Sequence, residues 1–405
     1  MVREERQRIL QELQNGIDNG ITADAGGILK APVTDFTCPD LLQKEQQIFF
    51  RESPLLLGMS VDLPGKGSYL ATNETGVPIL MTRDKNGEFH AFFNVCRHRG
   101  AQVVLEGRGN RDRFACPFHA WTYSNSGKLL AVNKEQSFGC VDKNRQSLVE
   151  IPAQEKYGML WVLPTPGRQF DVDEILGGLA TEMDSWDLHD IEFNEEQTLK
   201  ADINWKLAID TFGENYHFDV LHKETLAPEI FGNLQTSDVF GRNYRMVFAL
   251  KSGFNYVHEK NMPMEEWPFR WITLGVYFLY PNVIFLVDRQ GIDLLRMYPD
   301  ENNPGKSRTH HRFYLGREMR EHLKRRAEEK GNNEPEESRL TGFNRVVVQE
   351  DYVMAASTQV GASSGAQTHF TFGRNEPALH HYHNTHRAGL GLAPLELEPA
   401  PSEMA

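Results

Sequence analysis

The sequence is organised around two short segments, NVCRHRGA at residues 94–101 and CPFHAWTYS at residues 116–124. Their potential metal ligands, spaced as Cys-x-His and Cys-x2-His, are Cys96, His98, Cys116 and His119. Thiolates and imidazoles are the ligands that soft and borderline metals prefer. The residues between the two segments suit a hairpin that would bring both pairs of ligands to one place. The pattern therefore predicts a metal centre with two cysteine and two histidine ligands.

Two kinds of metal centre use this set of ligands. Zinc takes two Cys and two His in structural sites, whereas a [2Fe–2S] cluster of the Rieske type takes two Cys on one iron and two His on the other. The neighbouring residues, Arg97, Gly100, Pro117, Trp121 and Tyr123, favour the cluster. With them, the two segments closely resemble the Rieske signature of ring-hydroxylating oxygenase large subunits. Structural zinc is the alternative, and the resemblance implies four cluster ligands, Cys96, His98, Cys116 and His119.

Length, charge and cysteine usage limit the class of protein. The 405 residues can form two domains, and a formal net charge of −13 argues against nucleic acid and anionic membrane surfaces as partners. The sequence contains no run of about 20 apolar residues, which a membrane-spanning helix would need. The charged N-terminus lacks the apolar stretch of a signal peptide. The two remaining cysteines, Cys38 and Cys140, form no disulfide framework. We therefore expect a bacterial-type cytoplasm, where thiols stay reduced.

Composition and periodicity divide the chain into four segments. Residues 1–53 predict N-terminal helices that pack on the catalytic domain, and residues 54–165 predict a small all-β domain that carries the cluster on two hairpin loops. Residues 166–390 form the predicted catalytic domain, with an antiparallel meander, and residues 391–405 form a flexible tail. The resemblance implies an α+β fold, in which the Rieske domain is inserted in a helix-grip, START-like catalytic domain with an antiparallel sheet.

A second group of potential ligands lies in NWKLAIDTFGENYHFDVLH at residues 204–222. Its histidines and carboxylates fit the 2-His-1-carboxylate triad, which holds Fe(II) and leaves positions open for O2 and substrate. His217 and His222 are five residues apart, which places them about 140° out of phase on a straight helix. We therefore predict that the helix breaks or bulges between them, at Asp219 and Val220.

Two acidic residues precede the first of these histidines. Thr211-x-x-Glu214 has the pattern of a capping box, in which Glu214 would only satisfy the N-terminus of a helix. The segment is also similar to the mononuclear-iron segment of the same family, in which His217 and His222 would be iron ligands. The resemblance gives Glu214 the place of a bridging carboxylate that is most often Asp, although enzymes that act on quaternary amines are among those with Glu there. It gives Asp210 a supporting place beside the iron histidines.

The third iron ligand is expected on a C-terminal helix predicted over residues 340–359. Glu350 and Asp351 form an acidic pair there, and periodicity does not separate them, because both have apolar neighbours three and four residues away. Two solvated helix charges are the alternative. The resemblance implies that Asp351 is the ligand. The predicted apolar core of this helix consists of Val346, Val347, Val353 and Met354.

The remaining histidines are predicted to have structural places. Four of them are predicted to lie on a surface or interface helix, because no carboxylate or Cys completes a set of metal ligands with them: His380, His381, His383 and His386. His310 and His311 lie in a predicted strand and are expected to be structural.

The predicted substrate pocket is aromatic and apolar. It is expected to be lined by strand residues near Tyr277 to Phe285 and by the following residues around the iron site: Phe212, Phe218 and Val220. Such a lining suits an aromatic ring, and it equally suits a cationic methylammonium group through cation–π contact.

The resemblance implies the terminal component of an oxygenase that uses O2 to hydroxylate a small organic substrate. Its partners would be a flavin/iron-sulfur reductase or a ferredoxin as electron donor, and the cofactors a [2Fe–2S] cluster and mononuclear Fe(II). The cluster would serve the iron of a neighbouring subunit through a path from His119 through Glu214 to His217. The subunits would form a trimer, with or without a small beta subunit. A Rieske-type electron carrier and a zinc-stabilised START-like binding protein are the alternatives from other classes.

Overall fold

The computed structural model describes residues 1–330 and 338–399, which form two compact units. The small unit comprises Gln46–Ile175 and Asp187–His189. The large unit comprises Met1–Glu45, Leu176–Trp186 and the chain from Asp190 onward. The sequence Glu334-Pro-Glu-Glu-Ser338 predicts a loop, which lies outside the described residues except for Ser338. Among the described helices, none is long and apolar enough to cross a membrane.

The strands are short in the small unit and longer in the large unit. In chain order they are β1 Gly27–Pro32, β2 Leu55–Met59, β3 Ser68–Thr72, β4 Ile79–Arg83, β5 Phe89–Phe93, β6 Gly107–Asn110, β7 Arg113–Ala115, β8 Thr122–Ser124, β9 Leu129–Ala131, β10 Glu150–Ile151, β11 Ala153–Lys156, β12 Met159–Val162, β13 Glu192–Ala201, β14 Asp238–Phe240, β15 Asn243–Ala249, β16 Thr273–Leu279, β17 Val283–Val287, β18 Gly291–Pro299, β19 Ser307–Leu315, β20 His369–Phe372 and β21 Leu397–Pro399.

Most helices belong to the large unit. In chain order they are α1 Arg3–Asn19, α2 Thr34–Thr37, α3 Pro39–Phe50, α4 Val172–Leu176, α5 Ala180–Asp184, α6 Trp205–Asp210, α7 Phe218–Leu221, α8 Lys251–Glu259, α9 Phe269–Ile272, α10 Arg317–Lys330, α11 Arg339–Phe343, a π-helix Asn344–Asp351, α12 Tyr352–Ser363 and α13 Pro377–Gly389.

Three antiparallel sheets build the small unit, with strand orders β10-β5-β4-β3-β6, β11-β12-β2 and β7-β8-β9. The sequence Asp84-Lys-Asn-Gly87 is typical of a hairpin turn, and it joins β4 to β5. The Asp84 carboxylate accepts hydrogen bonds there from the backbone N–H groups of Asn86 and Glu88 at 2.8 and 3.0 Å. Gly87 closes this turn with a φ of 92°, which favours glycine. Several strands of the unit contribute to one apolar core, which includes both predicted cluster cysteines.

A seven-stranded antiparallel sheet forms the centre of the large unit, in the order β13-β19-β18-β17-β16-β15-β14. The predicted meander corresponds to β16 through β19. Val276 lies opposite Leu286 in this sheet, and the next pair is Tyr277 with Phe285. Because successive side chains of a strand point to opposite faces, these two pairs lie on different sides of the sheet. Helix α6 packs on β18 and β19 and contacts α12, which positions the segment of the second predicted metal site.

A smaller sheet in the large unit has the order β20-β1-β21. Leu397 of β21 pairs with Leu29 of β1, so the backbone of this part of the chain is satisfied by sheet hydrogen bonds. The prediction of a flexible tail from residue 391 is therefore wrong for Leu397–Pro399. Residues 400–405 lie outside the described part of the chain.

The helix predicted over residues 340–359 is three elements, α11, the π-helix and α12. Val347 is buried as predicted, but Val353 and Met354 are 57% and 49% exposed, so their assignment to the core is wrong. A π-helix bonds i to i+5 and so takes more residues per turn than an α-helix. The π-helix therefore rotates the buried face of the following helix away from the positions that 3.6-residue periodicity indicates. The buried residues of α12 are Tyr352, Ala355, Gln359 and Ala362.

Candidate functional site

Two loops of the small unit hold the four residues predicted as cluster ligands. Cys96 and His98 follow β5, and Cys116 and His119 lie in the turn between β7 and β8. Both cysteines are buried, whereas both histidines are half-buried, with ring centroids 4.7 Å apart. The Trp121 ring stacks on His98 at 5.0 Å. The thiols therefore face the core of the unit, and the imidazoles lie toward its surface.

The two loops share one backbone conformation around their cysteines. The carbonyl of Cys96 accepts from the N–H of Gly100 at 2.9 Å, and the carbonyl of Cys116 accepts from the N–H of Ala120 at the same distance. Gly100 has φ 80° and Ala120 has φ 57°, so both turns end in the left-handed region. Glycine meets this requirement without strain, whereas alanine adopts it at a cost of the order of 1 kcal/mol.

The chemistry of these residues fits a cluster. His119 Nδ1 is buried without a hydrogen-bond partner, as a nitrogen that binds metal would be. Burial and the neighbouring Cys96 raise the pKa of the Cys116 thiol, so a bound metal cation would favour its thiolate form. The Tyr123 hydroxyl lies 3.4 Å from Cys96 Sγ and accepts a hydrogen bond from the N–H of Arg97 at 3.0 Å. A thiolate at Cys96 would accept a hydrogen bond from this hydroxyl.

The segment NWK at residues 204–206 anchors the second site. Asn204 is the N-cap of α6, and its side chain accepts from the N–H of Lys206 at 2.9 Å. The Trp205 indole donates to Glu45 at 2.8 Å, and Lys206 forms a buried ion pair with the same carboxylate. Because Lys206 and Glu45 are buried, the loss of either partner would leave an uncompensated charge in the interior and destabilise the protein. The start of α6 is thereby fixed to α3.

Three predicted iron ligands come together in the large unit. The Nε2 atoms of His217 and His222 are 3.2 Å apart, and Asp351 Oδ1 lies 3.2 Å from the first and 3.1 Å from the second. Helix α7 consists of four residues, with His217 as its N-cap and His222 as its C-cap. The predicted break at Asp219 and Val220 is therefore wrong, because the single turn of helix lies between the histidines and ends at each of them.

Two further carboxylates hold the outer nitrogens of these histidines. Glu214 pairs with His217 Nδ1, and Glu350 Oε2 lies 2.5 Å from His222 Nδ1. The structure thereby separates the two acidic neighbours of the π-helix, because Asp351 faces both Nε2 atoms and Glu350 lies behind one ring. Burial would lower the pKa of His217, but hydrogen bonds to Asp351 and Glu214 raise it to about 9. The carboxylates around His217 and His222 favour a positive charge at this site. Two imidazoles and one carboxylate are also a set of ligands that fits Fe(II).

The capping box predicted for Glu214 does not form. Thr211 follows the last residue of α6, and its hydroxyl donates to the carbonyl of Ala208 at 3.0 Å. The Glu214 carboxylate instead accepts from the backbone N–H groups of Tyr216 and His217, the latter at 3.2 Å. Glu214 therefore stabilises the turn that carries His217 and also holds the imidazole.

Asp210 lies at the end of α6 and pairs with a histidine of α13. His383 Nε2 is 3.0 Å from Asp210 Oδ1, and the His383 ring stacks on Phe372 at 4.8 Å. The contact that the structure gives Asp210 is thus with His383, and its support of the iron histidines stays a prediction. Any such support would act through the backbone of residues 211–216.

The prediction that α13 is a surface helix is also wrong. Three of its histidines are buried at a spacing of three residues, His380, His383 and His386. In the same order, they bind the carbonyl of Phe372, the carboxylate of Asp210 and the carbonyl of Pro281. These hydrogen bonds offset the free-energy cost of burying the polar imidazoles. The i, i+3, i+6 spacing of the histidines was the sequence signal for one buried face.

A cavity of about 510 Å³ opens beside His222 and Asp351, and its lining combines apolar side chains with charged ones such as Asp288 and Arg289. Phe212 and Phe218 line it as predicted, but Val220 is 83% exposed and does not. The strands contribute Val276 rather than Tyr277, whose hydroxyl faces the other side of the sheet and donates to Glu182. The lining residues that were not predicted include Phe248, Leu274, Leu286, Arg339, Phe343 and Val347.

Two known protein families match separate parts of the chain. A family described as the Rieske [2Fe-2S] domain matches residues 53–148, and one described as the ring hydroxylating alpha subunit (catalytic domain) matches residues 188–391. The small unit therefore carries a Rieske [2Fe–2S] domain, and the catalytic domain is of the kind that binds mononuclear iron.

Individual relatives act on different substrates. The chain is similar to the glycine betaine monooxygenase oxygenase subunit of Pseudomonas aeruginosa, with 30% identity over 46% of this chain and 43% of the relative. It is also similar to benzene 1,2-dioxygenase subunit alpha of Pseudomonas putida, with 29% identity over 56% of this chain and 53% of the relative. The matches thus span about half the length of these curated relatives.

Solved structures share the fold. A quaternary ammonium Rieske monooxygenase in complex with L-carnitine has a TM-score of 0.71 and 18% identity, covering 90% of this chain and 96% of that one. Naphthalene 1,2-dioxygenase with bound indole has a TM-score of 0.69 and 17% identity, covering 91% and 93%. From the family matches over both domains, we conclude that the chain belongs to the ring hydroxylating alpha subunits.

Proposed function

We propose that this protein is the terminal oxygenase component of a Rieske non-haem iron system that hydroxylates a small organic substrate. The observation that carries the proposal is the convergence of His217, His222 and Asp351 beside this cavity. We assign these three residues to Fe(II), and we assign the cluster to Cys96, His98, Cys116 and His119. Fe(II) would supply the activation of O2, and the cluster would supply electrons one at a time.

The reaction consumes one O2, two electrons and two protons per substrate. In a monooxygenation, one oxygen atom enters the product and the other leaves as water, and in a dioxygenation both enter the product. A flavin/iron-sulfur reductase or a ferredoxin would deliver the electrons. A reduced cluster and the free thiols Cys38 and Cys140 suit a reducing compartment, so we propose a cytoplasmic location.

The cluster of one subunit would serve the iron site of another. Phe118, whose ring lies 3.8 Å from that of His119, is 54% exposed, and Tyr216, beside His217, is 62% exposed. Exposed aromatic side chains at both metal sites support burial of these surfaces by a neighbouring subunit. We propose a homotrimer in which Glu214 links His217 to His119 of the partner subunit, with or without a small beta subunit.

An aromatic ring is the substrate that the cavity suits best. Phe212 and Phe343 stack at 6.3 Å on one side, and Phe218 meets Phe248 edge to face at 5.9 Å on another. Such aromatic walls would hold a flat apolar ring by burial and ring contacts. Aromatic substrates are named for several relatives, including benzene 1,2-dioxygenase.

A methylated or quaternary amine is the second candidate. The observation that favours it is Glu214, which stands where the family most often has Asp. The same aromatic walls could bind a methylammonium group by cation–π contact. Relatives named for glycine betaine and carnitine support this alternative.

Product analysis with both substrate classes tests the proposal. Full-length protein with its cluster and Fe(II), supplied with a surrogate reductase and ¹⁸O2, should consume O2 and label one product class by one or two oxygen atoms. The control is Asp351→Ala, which should keep the red-brown absorbance of the cluster and form no product. Cluster absorbance without labelled product from any aromatic or methylated amine would favour the electron-carrier alternative. A colourless protein that contains zinc would favour the zinc-stabilised binding protein.

A further inference from the structure

We infer that Glu350 is a positioning residue that holds His222 and so sets the affinity of the iron site for Fe(II). The inference rests on the proposed iron site and deepens it. It concerns a residue that the family signature leaves unassigned, because the sequence offers Glu350 only as an alternative to the ligand Asp351.

The His222 ring is held from both edges by consecutive residues of the π-helix. Asp351 Oδ1 lies 3.1 Å from Nε2, and Glu350 Oε2 lies 2.5 Å from Nδ1. Only Nε2 therefore faces the site where a cation would lie. A proton on Nδ1 that is donated to Glu350 fixes the tautomer in which Nε2 is free to bind metal.

Thr225 holds the Glu350 carboxylate in this place. Its hydroxyl donates to Glu350 Oε2 at 2.8 Å, so one oxygen accepts from the imidazole and from the hydroxyl. The N–H of Thr225 donates to the carbonyl of His222 at 3.1 Å, which closes the turn after α7. Thr225, Glu350 and His222 thus form one hydrogen-bonded unit that joins α7 to the π-helix.

The two predicted iron histidines have separate carboxylate partners. Glu214 holds His217 and lies in the same turn of the chain, whereas Glu350 holds His222 across a sequence separation of 128 residues. Only Glu214 lies on the proposed path from the cluster. The removal of Glu350 should therefore weaken Fe(II) binding without slowing electron transfer from the cluster to iron that is bound.

The expected size of the effect follows from other metal sites. Carboxylates that accept from the outer nitrogen of a metal-bound imidazole increase its basicity and fix its orientation, and their loss typically costs 10–100-fold in metal affinity or activity. We therefore expect Glu350→Gln to raise the dissociation constant for Fe(II) by about 10–100-fold. Thr225→Val should have a smaller effect, because it leaves the carboxylate present but less well held.

The test measures metal binding in the full-length protein under anaerobic conditions. The mononuclear site is emptied with a chelator, the cluster absorbance is checked, and Fe(II) is titrated against a competing chelator. Co(II) serves as a second probe, because its visible absorption reports ligand geometry. Glu224→Gln is the matched control, because this substitution makes the same chemical change at an exposed position next to Thr225. Its dissociation constants should equal those of the wild type.

The variants distinguish positioning from general stability. We expect Glu350→Gln to shift the Co(II) absorption and weaken Fe(II) binding, and the double variant with Thr225→Val to bind no more weakly than Glu350→Gln alone. In a separate experiment with substrate and O2 added, the Fe(II)-loaded Glu350→Gln protein should reoxidise its cluster at the wild-type rate. Fe(II) binding by Glu350→Gln within twofold of the wild type would overturn the inference. Should that variant not fold, unchanged Fe(II) binding by Thr225→Val would do the same.

The Fe(II) and Co(II) titrations use neither substrate nor O2. A lack of oxygenase activity would therefore leave the result for Glu350 intact. A wild-type protein that binds no Fe(II) at His217, His222 and Asp351 would overturn the proposed function itself. Normal wild-type binding with an unaffected Glu350→Gln variant would overturn only the role of Glu350.

Discussion

Glu214→Gln should slow the transfer of electrons from cluster to iron while leaving both metals bound. In the structure, one oxygen of Glu214 accepts from the backbone N–H groups of Tyr216 and His217, and the other pairs with His217 Nδ1. Glutamine has one acceptor oxygen. If that oxygen keeps the backbone turn, the amide NH2 faces the Nδ1–H group of a metal-bound imidazole, and two donors oppose each other.

The magnitude follows from the hydrogen bond that is lost. A hydrogen bond to a charged group is worth roughly 1.5–3 kcal/mol. If this loss falls on the barrier to electron transfer, the rate should decrease by about 10–150-fold, since about 1.4 kcal/mol corresponds to a factor of ten. The fold should be little affected, because the turn at residues 214–217 can be kept by the remaining oxygen.

Rapid mixing of reduced protein with substrate and O2 measures this rate as reoxidation of the cluster. Excess Fe(II) first brings the iron content to the wild-type level, because Glu214 also holds a predicted iron histidine. Assembly should match the wild type, and Glu224→Gln is the control, because it makes the same chemical change at an exposed position. Reoxidation of the Glu214→Gln cluster within twofold of the wild-type rate would refute the bridging role and leave Glu214 as a residue of the turn.

Three further predictions concern the two metal sites and the buried charges. His222→Ala should abolish turnover but retain the EPR signal of the reduced cluster, and loss of that signal would contradict two separate sites. Cys96→Ser should remove the cluster absorbance and all reductase-dependent activity; an unchanged visible spectrum would exclude Cys96 as a ligand. Arg339 and His311 lower the pKa of the buried Asp293 from 3.8 to about 2, although burial opposes them, so its folded-state pKa lies below the unfolded one. This carboxylate should contribute about 2 kcal/mol above pH 4, and that contribution should be lost as the pH falls toward 2. Denaturant unfolding of Asp293→Asn should lack this part of the pH dependence, and an unchanged acid transition would contradict the assignment.

The parts of the molecule that follow local rules could be predicted from the sequence. The two cysteine-histidine segments have the spacing of tight turns, and the structure forms both turns with the same backbone hydrogen bonds. The antiparallel meander follows from apolar runs that are separated by turn residues. His217 and His222 can meet only if the helix between them is distorted, and their five-residue spacing indicated this. The predicted position of the distortion, at Asp219 and Val220, was wrong.

The parts that depend on long-range packing could not be predicted. The exposure of Val353 and Met354 results from the π-helix, whose extra residue per turn leaves no pattern that a 3.6-residue repeat would detect. The pairing of Asp210 with His383 joins helices that are 173 residues apart in sequence. Glu350 and Asp351 are equivalent by periodicity, and only the position of His222 between them assigns their different contacts.

The π-helix also limits how this protein can be redesigned for other substrates. Phe343 and Val347 form part of the cavity wall, and the same stretch of backbone continues to Glu350 and Asp351. A substitution that enlarges the cavity on this wall would also shift the groups around the iron, so gains in substrate range would come with losses in metal retention. The opposite wall is built from Leu274, Val276 and Leu286 on β16 and β17, which contribute no metal-binding side chain. A library that alters substrate preference should therefore vary the strand residues and leave the π-helix unchanged.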